Sequence, residues 1–295
     1  MVTKKIEFRK IRDFGENITD TIGFIKQEFK PLFKPYVLIA GAFILMSSLF
    51  LGLFVGDIYG NVLESVVNDT DPLPQFSGLS IGSYLVFLIL TPITIAAMNT
   101  VISCYIKLYR EKNNNSPAFE EVWREVTKYF GIVLLFSFLY VFAVVIGLFL
   151  CLLPGIYLAI VLLPYAQVII FENERSVGSV WNRCVYLGKE NFWMTLLLYI
   201  LLSMIVSFAS SAIGMLVAAA IGLASYFITK DISSAAGILY GIIYFFSYLF
   251  YIILLVSLCL HYFNLAEKKD GAGLLQRIQN MGGSNDEHSH MEERY

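Results

Sequence analysis

Long apolar runs alternate along the chain with shorter segments in which polar and charged residues are mixed. Six of the runs come near the length of roughly 20 apolar residues that a helix needs to cross a hydrocarbon core of about 30 Å. The fourth run is short and contains Pro164, so a kink is expected there. The predicted spans are residues 36–56, 81–105, 130–153, 156–171, 192–221 and 237–263.

Segments with a helical period precede each pair of spans. Between residues 8 and 32, apolar residues recur at steps of three and four, which places them on one face of a helix with charged residues opposite. Two shorter segments of this kind, before the third and fifth spans, each contain a tryptophan. Tryptophan together with basic residues is typical of the lipid–water interface. The candidate interfacial or partner contacts are Lys26, Lys30, Trp123, Trp181 and Trp193.

A unit of amphipathic helix, span out and span back occurs three times, beginning near Phe8, Ser116 and Ser176. Residues 105–116 align without a gap on residues 165–176, and each segment ends a span. A common origin and shared interfacial constraints both explain the pattern. Because each unit contains an even number of spans, the copies are parallel repeats, which predicts three helical hairpins around a pseudo-threefold axis along the membrane normal.

The predicted fold is therefore all-α, a polytopic membrane protein with six transmembrane helices and amphipathic interfacial helices on the cytoplasmic side, arranged as three repeated hairpins. The chain divides into an N-terminal segment with an amphipathic helix, a six-span domain and a tail whose polar end is expected to be disordered. The corresponding ranges are 1–35, 36–263 and 264–295.

Composition and charge agree with a membrane protein and add an orientation. Hydrophobic residues make up 57% of the chain and charged residues 15%, and the mean hydropathy is +0.68, values that exclude a water-soluble globular domain. Of the 21 lysines and arginines, all but Lys230 fall on one side of the predicted spans. The positive-inside rule places that side, with both termini, in the cytoplasm.

Chemistry-bearing motifs are sparse. The six predicted spans contain no Asp, Glu, Lys or Arg, and intramembrane charges are the usual mark of ion-coupled transport or proton relay. No metal-binding, phosphate-binding or nucleophile motif occurs, so we expect no catalysis, no cofactor and no metal site. A membrane enzyme without a familiar motif is the weakest of three hypotheses. The net charge of -2 argues against nucleic acid as a partner.

The polar residues within the spans have two interpretations. Asn99 follows Pro92 by two helical turns, Gln167 follows Pro164, and four tyrosines of the sixth span recur at steps of four, four and three. Such residues either line a path for lipid or substrate, or hydrogen-bond between packed helices, and packing is favoured. The candidate lining residues are Asn99, Gln167, Tyr240, Tyr244, Tyr248 and Tyr251.

Three short motifs carry a family resemblance. The segments 153–157 (Leu-Pro-Gly-Ile-Tyr), 176–181 and 188–193 resemble a bacterial family of six-span proteins, which includes the membrane domain of some glycerophosphodiester phosphodiesterases and free-standing relatives. The resemblance implies a multi-pass protein of the bacterial cytoplasmic (inner) membrane, with a Pro-Gly hairpin between the third and fourth spans. The catalytic domain of the fused members has no counterpart here, so neither its metal site nor its activity is implied.

Two functions remain for the chain. The first is a non-enzymatic inner-membrane subunit or scaffold whose amphipathic helices and basic surface bind other membrane proteins, a second copy of the chain, or membrane lipid. The alternative is a carrier or channel for a lipid or other apolar substrate, because apolar cargo needs no charged site in the spans.

Overall fold

The computed structural model describes residues 7–8, 10–67, 78–229 and 232–271, and this part of the chain is helical with no strands. The predictions for Lys230 and for the tail beyond Gly271 lie outside it. A short π-helical segment, Tyr36–Ala40, joins the first two helices. The helices are α1 (Phe14–Pro35), α2 (Gly41–Val67), α3 (Gly78–Glu111), α4 (Phe119–Leu150), α5 (Leu152–Val161), α6 (Tyr165–Glu172), α7 (Val177–Gly188), α8 (Phe192–Thr229), α9 (Ile232–Phe250) and α10 (Ile252–Asp270).

Six helical segments within the described residues are long and apolar enough to cross a membrane, which confirms the six-span prediction. The spans are formed by α2, α3, α4, α5 with α6, α8, and α9 with α10. The second predicted amphipathic helix is the first part of α4 rather than a separate element. Among the helices of the described residues, α7 alone is separated from a span by a non-helical segment at each of its ends.

Consecutive spans lie side by side in the order of the chain. The helices α2, α3, α4 and α5 contact one another in sequence, α5 contacts α8, and α8 contacts α9. Because α9 also packs along α2, the ring is closed. Each return span is interrupted or carries a proline: α3 contains Pro92, α5 and α6 are separated at residues 162–164, and α9 and α10 at Tyr251.

We call the end of the bundle that carries α1, the start of α4 and α7 the basic end, and the other the opposite end. At the basic end, α1 packs against α3 and α10, α4 against α3 and α6, and α7 against α6 and α10. The described residues with positive φ are Asn113, Asn114, Asn173 and Gly271, all just after the end of a return span. These residue types adopt the left-handed conformation most readily. The three hairpins thus share one packing scheme and one way of ending, as the repeat predicts.

The buried face of α1 coincides only in part with the predicted apolar face. Phe8 and Leu32 of the apolar series are buried, whereas Ile22 and Phe29 are 44% and 50% exposed and would be covered by lipid. Asn17 is buried as well, because α10 offers a polar side chain to this part of α1.

The reversal between α4 and α5 is tighter than its sequence predicts. Cys151 alone separates the two helices, and Pro154 and Gly155 belong to the first turn of α5. Proline is tolerated there because the first turn has no intrahelical acceptors for its N–H groups. A Cβ on Gly155 would lie 2.5 Å from Leu148, so only glycine allows this approach.

Candidate functional site

The basic end is organised around three helical segments that are buried on every side. Residues 96–106 of α3, 165–170 of α6 and 254–265 of α10 are all buried without interruption. A helix that exposes no face must lie inside the bundle. The return spans therefore form an inner core at this end, enclosed by α1, the start of α4 and α7.

Side-chain to main-chain hydrogen bonds hold α1 against α10. The Asn264 side chain accepts from the N–H of Arg12 and donates to its carbonyl, both at 3.0 Å. Ser257 donates to Asn17 Oδ1 at 2.8 Å. The buried Arg12 guanidinium donates to Asp20 at 2.8 Å and to main-chain carbonyls just before it. The contacts made by Asn264 and Ser257 join residues more than 200 positions apart and fix the N-terminal helix, with the residues just before it, to the last span.

A second polar contact holds α7 against α6 and α10. Arg183 donates to Glu172 at 2.8 Å and to Asp270 at 3.2 Å, and Tyr262 donates to Glu172 at 2.7 Å. The hydrogen bond to Asp270, followed by that to Glu172, raises the pKa of Arg183 above its ordinary value. A cleft of about 160 Å³ lies beside this group. Since Arg183 is matched by two carboxylates, the arrangement is suited to joining helices.

A third polar contact, the Tyr129 cluster, joins α4 to α3 and to the loop after α6. Tyr129 is fully buried, donates to Asn173 at 2.8 Å and accepts from Lys107 at 2.8 Å. The Nζ atoms of Lys107 and Lys128 lie 4.6 Å and 5.0 Å from its ring centroid, and the Cζ of Arg175 lies at 5.9 Å. Cations bind aromatic rings over this range. Three positive charges therefore converge on one buried side chain.

An apolar groove of about 190 Å³ lies between α4 and α7, with the junction of α5 and α6 beneath it. Its walls include Phe136 and Ala143 of α4 and Trp181 of α7. The tyrosine hydroxyls at its edge are used within the bundle, because Tyr140 donates to the carbonyl of Ala159 at 3.0 Å and Tyr165 pairs with a serine of α4 at 2.7 Å. The groove thus offers an apolar surface to a ligand.

The two predicted amide residues lie in the inner core. Asn99 donates to the carbonyl of Ile95 in its own helix at 3.0 Å. Gln167 lies 3.4 Å from Ser103, one helical turn from Asn99, and 3.7 Å from the sulfur of Cys259. The amide oxygens of both residues are buried and without a hydrogen-bond partner within the described part of the chain. The structure thus brings these two predicted residues near each other, around Ser103.

The four predicted tyrosines pack against aromatic residues of three neighbouring helices instead of facing one cavity. Tyr248 contacts Tyr244 in its own helix, with ring centroids 4.4 Å apart. Tyr248 also stacks on Tyr251, with ring centroids 5.9 Å apart. The pairs with other helices are Tyr240 with Tyr59 of α2, Tyr244 with Phe87 of α3, and Tyr251 with Tyr199 of α8. These contacts fit the packing interpretation of the tyrosine series.

The predicted interfacial residues lie at the basic end, and most are exposed. Lys26 and Lys30 project from α1, while Trp123 is 49% and Trp193 is 72% exposed. Trp181 lies in the wall of the groove.

The Tyr129 cluster was missed at the level of sequence, where its cations serve only to orient the spans. Lys107, Lys128 and Arg175 come from three separate segments. Tyr129 occupies an ordinary apolar position of α4. No local sequence pattern therefore predicts that the three cations lie around Tyr129.

Comparisons with family models, with curated proteins and with solved structures return no match to this chain. The resemblance to the membrane domain of glycerophosphodiester phosphodiesterases therefore stays a prediction.

Proposed function

We propose that this chain is a non-enzymatic membrane subunit or scaffold of the bacterial cytoplasmic membrane, with the basic end and both termini in the cytoplasm. It holds other membrane proteins, a second copy of itself, or membrane lipid at the basic end. The observation that carries the proposal is the closed inner core formed by residues 96–106, 165–170 and 254–265. A tightly packed platform with tryptophans and lysines on its surface suits docking.

The same packing favours a scaffold over a carrier. A carrier needs polar or apolar groups that line a path and an element with two arrangements. Groups proposed for such a path are used in packing instead. Gln167 lies inside the core, and Tyr240 and Tyr244 of α9 pack against α2 and α3. The uneven distribution of lysine and arginine supports the cytoplasmic placement of the basic end.

Site-specific photo-crosslinking in native membranes tests the proposal. A photoreactive phenylalanine analogue replaces Trp123 or Trp193 in the full chain. The controls are Phe149 and Phe208, which are 93% and 73% exposed and lie further along the same two helices. We expect adducts of defined mass from the tryptophan positions, including a doubled mass where copies associate, and none from the phenylalanine positions.

Two results would contradict the scaffold. One is equal adduct formation at all four positions, which reports random collision in the membrane. The other is the absence of adducts at both tryptophan positions together with purification of the chain as a stable monomer.

A further inference from the structure

We propose that the Tyr129 cluster and the apolar groove form a single binding site for an anionic phospholipid. The phosphate lies on the three cations, and one acyl chain lies in the groove. The inference deepens the proposed function, on which it rests for the lipid-facing placement of this surface, by naming the lipid class and its site.

The charges of the cluster favour an anion. Lys107, Lys128 and Arg175 all lie within about 6 Å of the Tyr129 ring centroid. Among the described residues, Lys128 alone of the three forms an ion pair, with Glu125 at 3.7 Å.

Three further carboxylates of this region could neutralise the cations of the cluster. Glu125 acts on Lys107 through its charge, and Glu111 does so to a smaller extent. Glu174 uses one carboxylate oxygen to accept from the N–H groups of Arg175 and Ser176, both at 3.0 Å. Glu121 pairs with Lys112 at 2.6 Å. Within the described part of the chain, Glu111, Glu121 and Glu174 form no ion pair with the cations of the cluster. Three positive charges therefore face the one carboxylate of Glu125, and a phosphate there would relieve the remaining repulsion.

The cluster and the groove lie along the same face of α4. Tyr129, Val133, Phe136 and Tyr140 follow one another at steps of four, three and four, and Phe136 and Tyr140 line the groove. Seven residues of helix separate Tyr129 from Phe136 by about 10 Å. A headgroup layer is about 5–8 Å deep, so a phosphate at the cluster would place its acyl chains at the level of the groove.

The loop after α6 connects the two parts as well. Arg175 precedes Val177 by two residues, and Val177 and Trp181 form the α7 wall of the groove. One short segment therefore supplies both a cation of the cluster and an apolar wall.

The surroundings of the groove favour an acyl chain as its occupant. The groove has a volume of about 190 Å³ and an apolar lining. Part of an acyl chain fits such a groove, and a bilayer surrounds this surface with such chains.

Lipid titration of the purified full chain, followed by native mass spectrometry, tests the site. The probes are phosphatidylglycerol and phosphatidylcholine with identical acyl chains. We expect tighter binding of phosphatidylglycerol by about tenfold or more, and loss of that preference in Lys128→Gln/Arg175→Gln, because basic groups near the surface each strengthen the binding of anionic lipid several-fold. The charge-matched control, Lys26→Gln/Lys30→Gln, removes two exposed cations of α1 and should change the affinity less than about twofold.

The groove is tested separately with Ala143→Phe, and with Leu139→Trp as a second variant at the same wall. We expect either substitution to weaken phosphatidylglycerol binding, while excess inorganic phosphate fails to displace the lipid from the unaltered chain. Thermal unfolding in detergent identifies any variant that does not fold.

Three results would overturn the site. Equal losses in the cluster variant and its control would show general surface charge. Full affinity in both groove variants, or displacement by inorganic phosphate, would show that the acyl chain is not bound. Crosslinking at Trp123 and Trp193 does not depend on these results, so a failed lipid site and a failed scaffold are distinguishable.

Discussion

The basic end and the opposite end of this bundle are built from the same helices and are held together differently. On α3, residues 96–106 are buried throughout, whereas Leu79, Leu85 and Ile89 are 62%, 54% and 58% exposed. At the basic end, polar side chains of α1, α4 and α7 reach across to the return spans. The helices there are held by hydrogen bonds that specify their positions as well as by buried carbon.

The opposite end relies on close backbone contact. A Cβ added to Gly237 of α9 would lie 2.5 Å from the carbonyl oxygen of Gly52 in α2, and one added to Gly52 would lie 2.7 Å from that of Gly237. Small residues of this kind let helices approach in lipid, where apolar side chains gain little by leaving hydrocarbon for protein. The difference shows that the two ends respond to different surroundings, an interface with polar groups and a hydrocarbon layer without them.

The largest loss of stability is expected from Arg12→Leu at the basic end. The substitution leaves Asp20 and several main-chain carbonyls without their buried partner, at a cost of about 3 kcal/mol. Denaturant unfolding in detergent micelles measures the change. The control is Lys26→Leu at an exposed position of α1, the helix that begins two residues after Arg12, and it is expected to change stability by about 0.5 kcal/mol or less. Equal effects of the two substitutions would contradict the polar anchoring of α1.

A smaller loss is expected from Gly237→Ala at the opposite end. The added methyl group would overlap the carbonyl of Gly52, so α2 and α9 must separate, at a cost of about 1–3 kcal/mol. Gly82→Ala in α3 is the matched control because no atom lies within 4 Å of its added Cβ. There alanine should leave stability unchanged or raise it by up to about 1 kcal/mol. Equal changes in the free energy of unfolding for the two substitutions, measured in the same assay, would show that the Gly52–Gly237 contact does not constrain the packing of α2 on α9.

The six spans and the three hairpins were predictable because their signals are local. Span length, the helical period before each pair of spans and the resemblance of residues 105–116 to 165–176 all lie within short stretches of sequence. The observed order of spans agrees with these features, since short connections make consecutive spans antiparallel neighbours.

The contacts of the basic end were not predictable in the same way. Arg12 and Asn264 are 252 positions apart, and neither residue type nor spacing marks them as partners. The apolar series of α1 was expected at the lipid–water interface or in a groove under the bundle, and Leu32 is indeed buried, but the burial of Asn17 against Ser257 of α10 was not predicted. Gln167 was singled out correctly as a buried polar group, although its partner Ser103 has no signature in the sequence. Long-range polar pairing is a property of the assembled bundle.

The smallest of the expected effects concerns Arg183, which joins α7 to both neighbouring return spans. Arg183→Gln removes ion pairs with Glu172 and Asp270, whose side chains are 28% and 38% exposed. Solvent screens pairs of this exposure, so the expected loss is about 1 kcal/mol or less at low ionic strength and still smaller in 1 M salt. The measurement is unfolding in detergent at two salt concentrations.

Arg183→Lys distinguishes charge from geometry, because lysine keeps the positive charge but cannot reach both carboxylates with a planar fork. An intermediate loss is expected, with the same salt dependence as in Arg183→Gln. The guanidinium also lies 5.5 Å from the ring of Tyr186, a contact that salt weakens less. A loss in Arg183→Gln that persists unchanged in 1 M salt would therefore assign the contribution of Arg183 to packing on Tyr186. The basic end would then depend on its buried hydrogen bonds at Arg12 and Tyr129 and owe little to its surface charges.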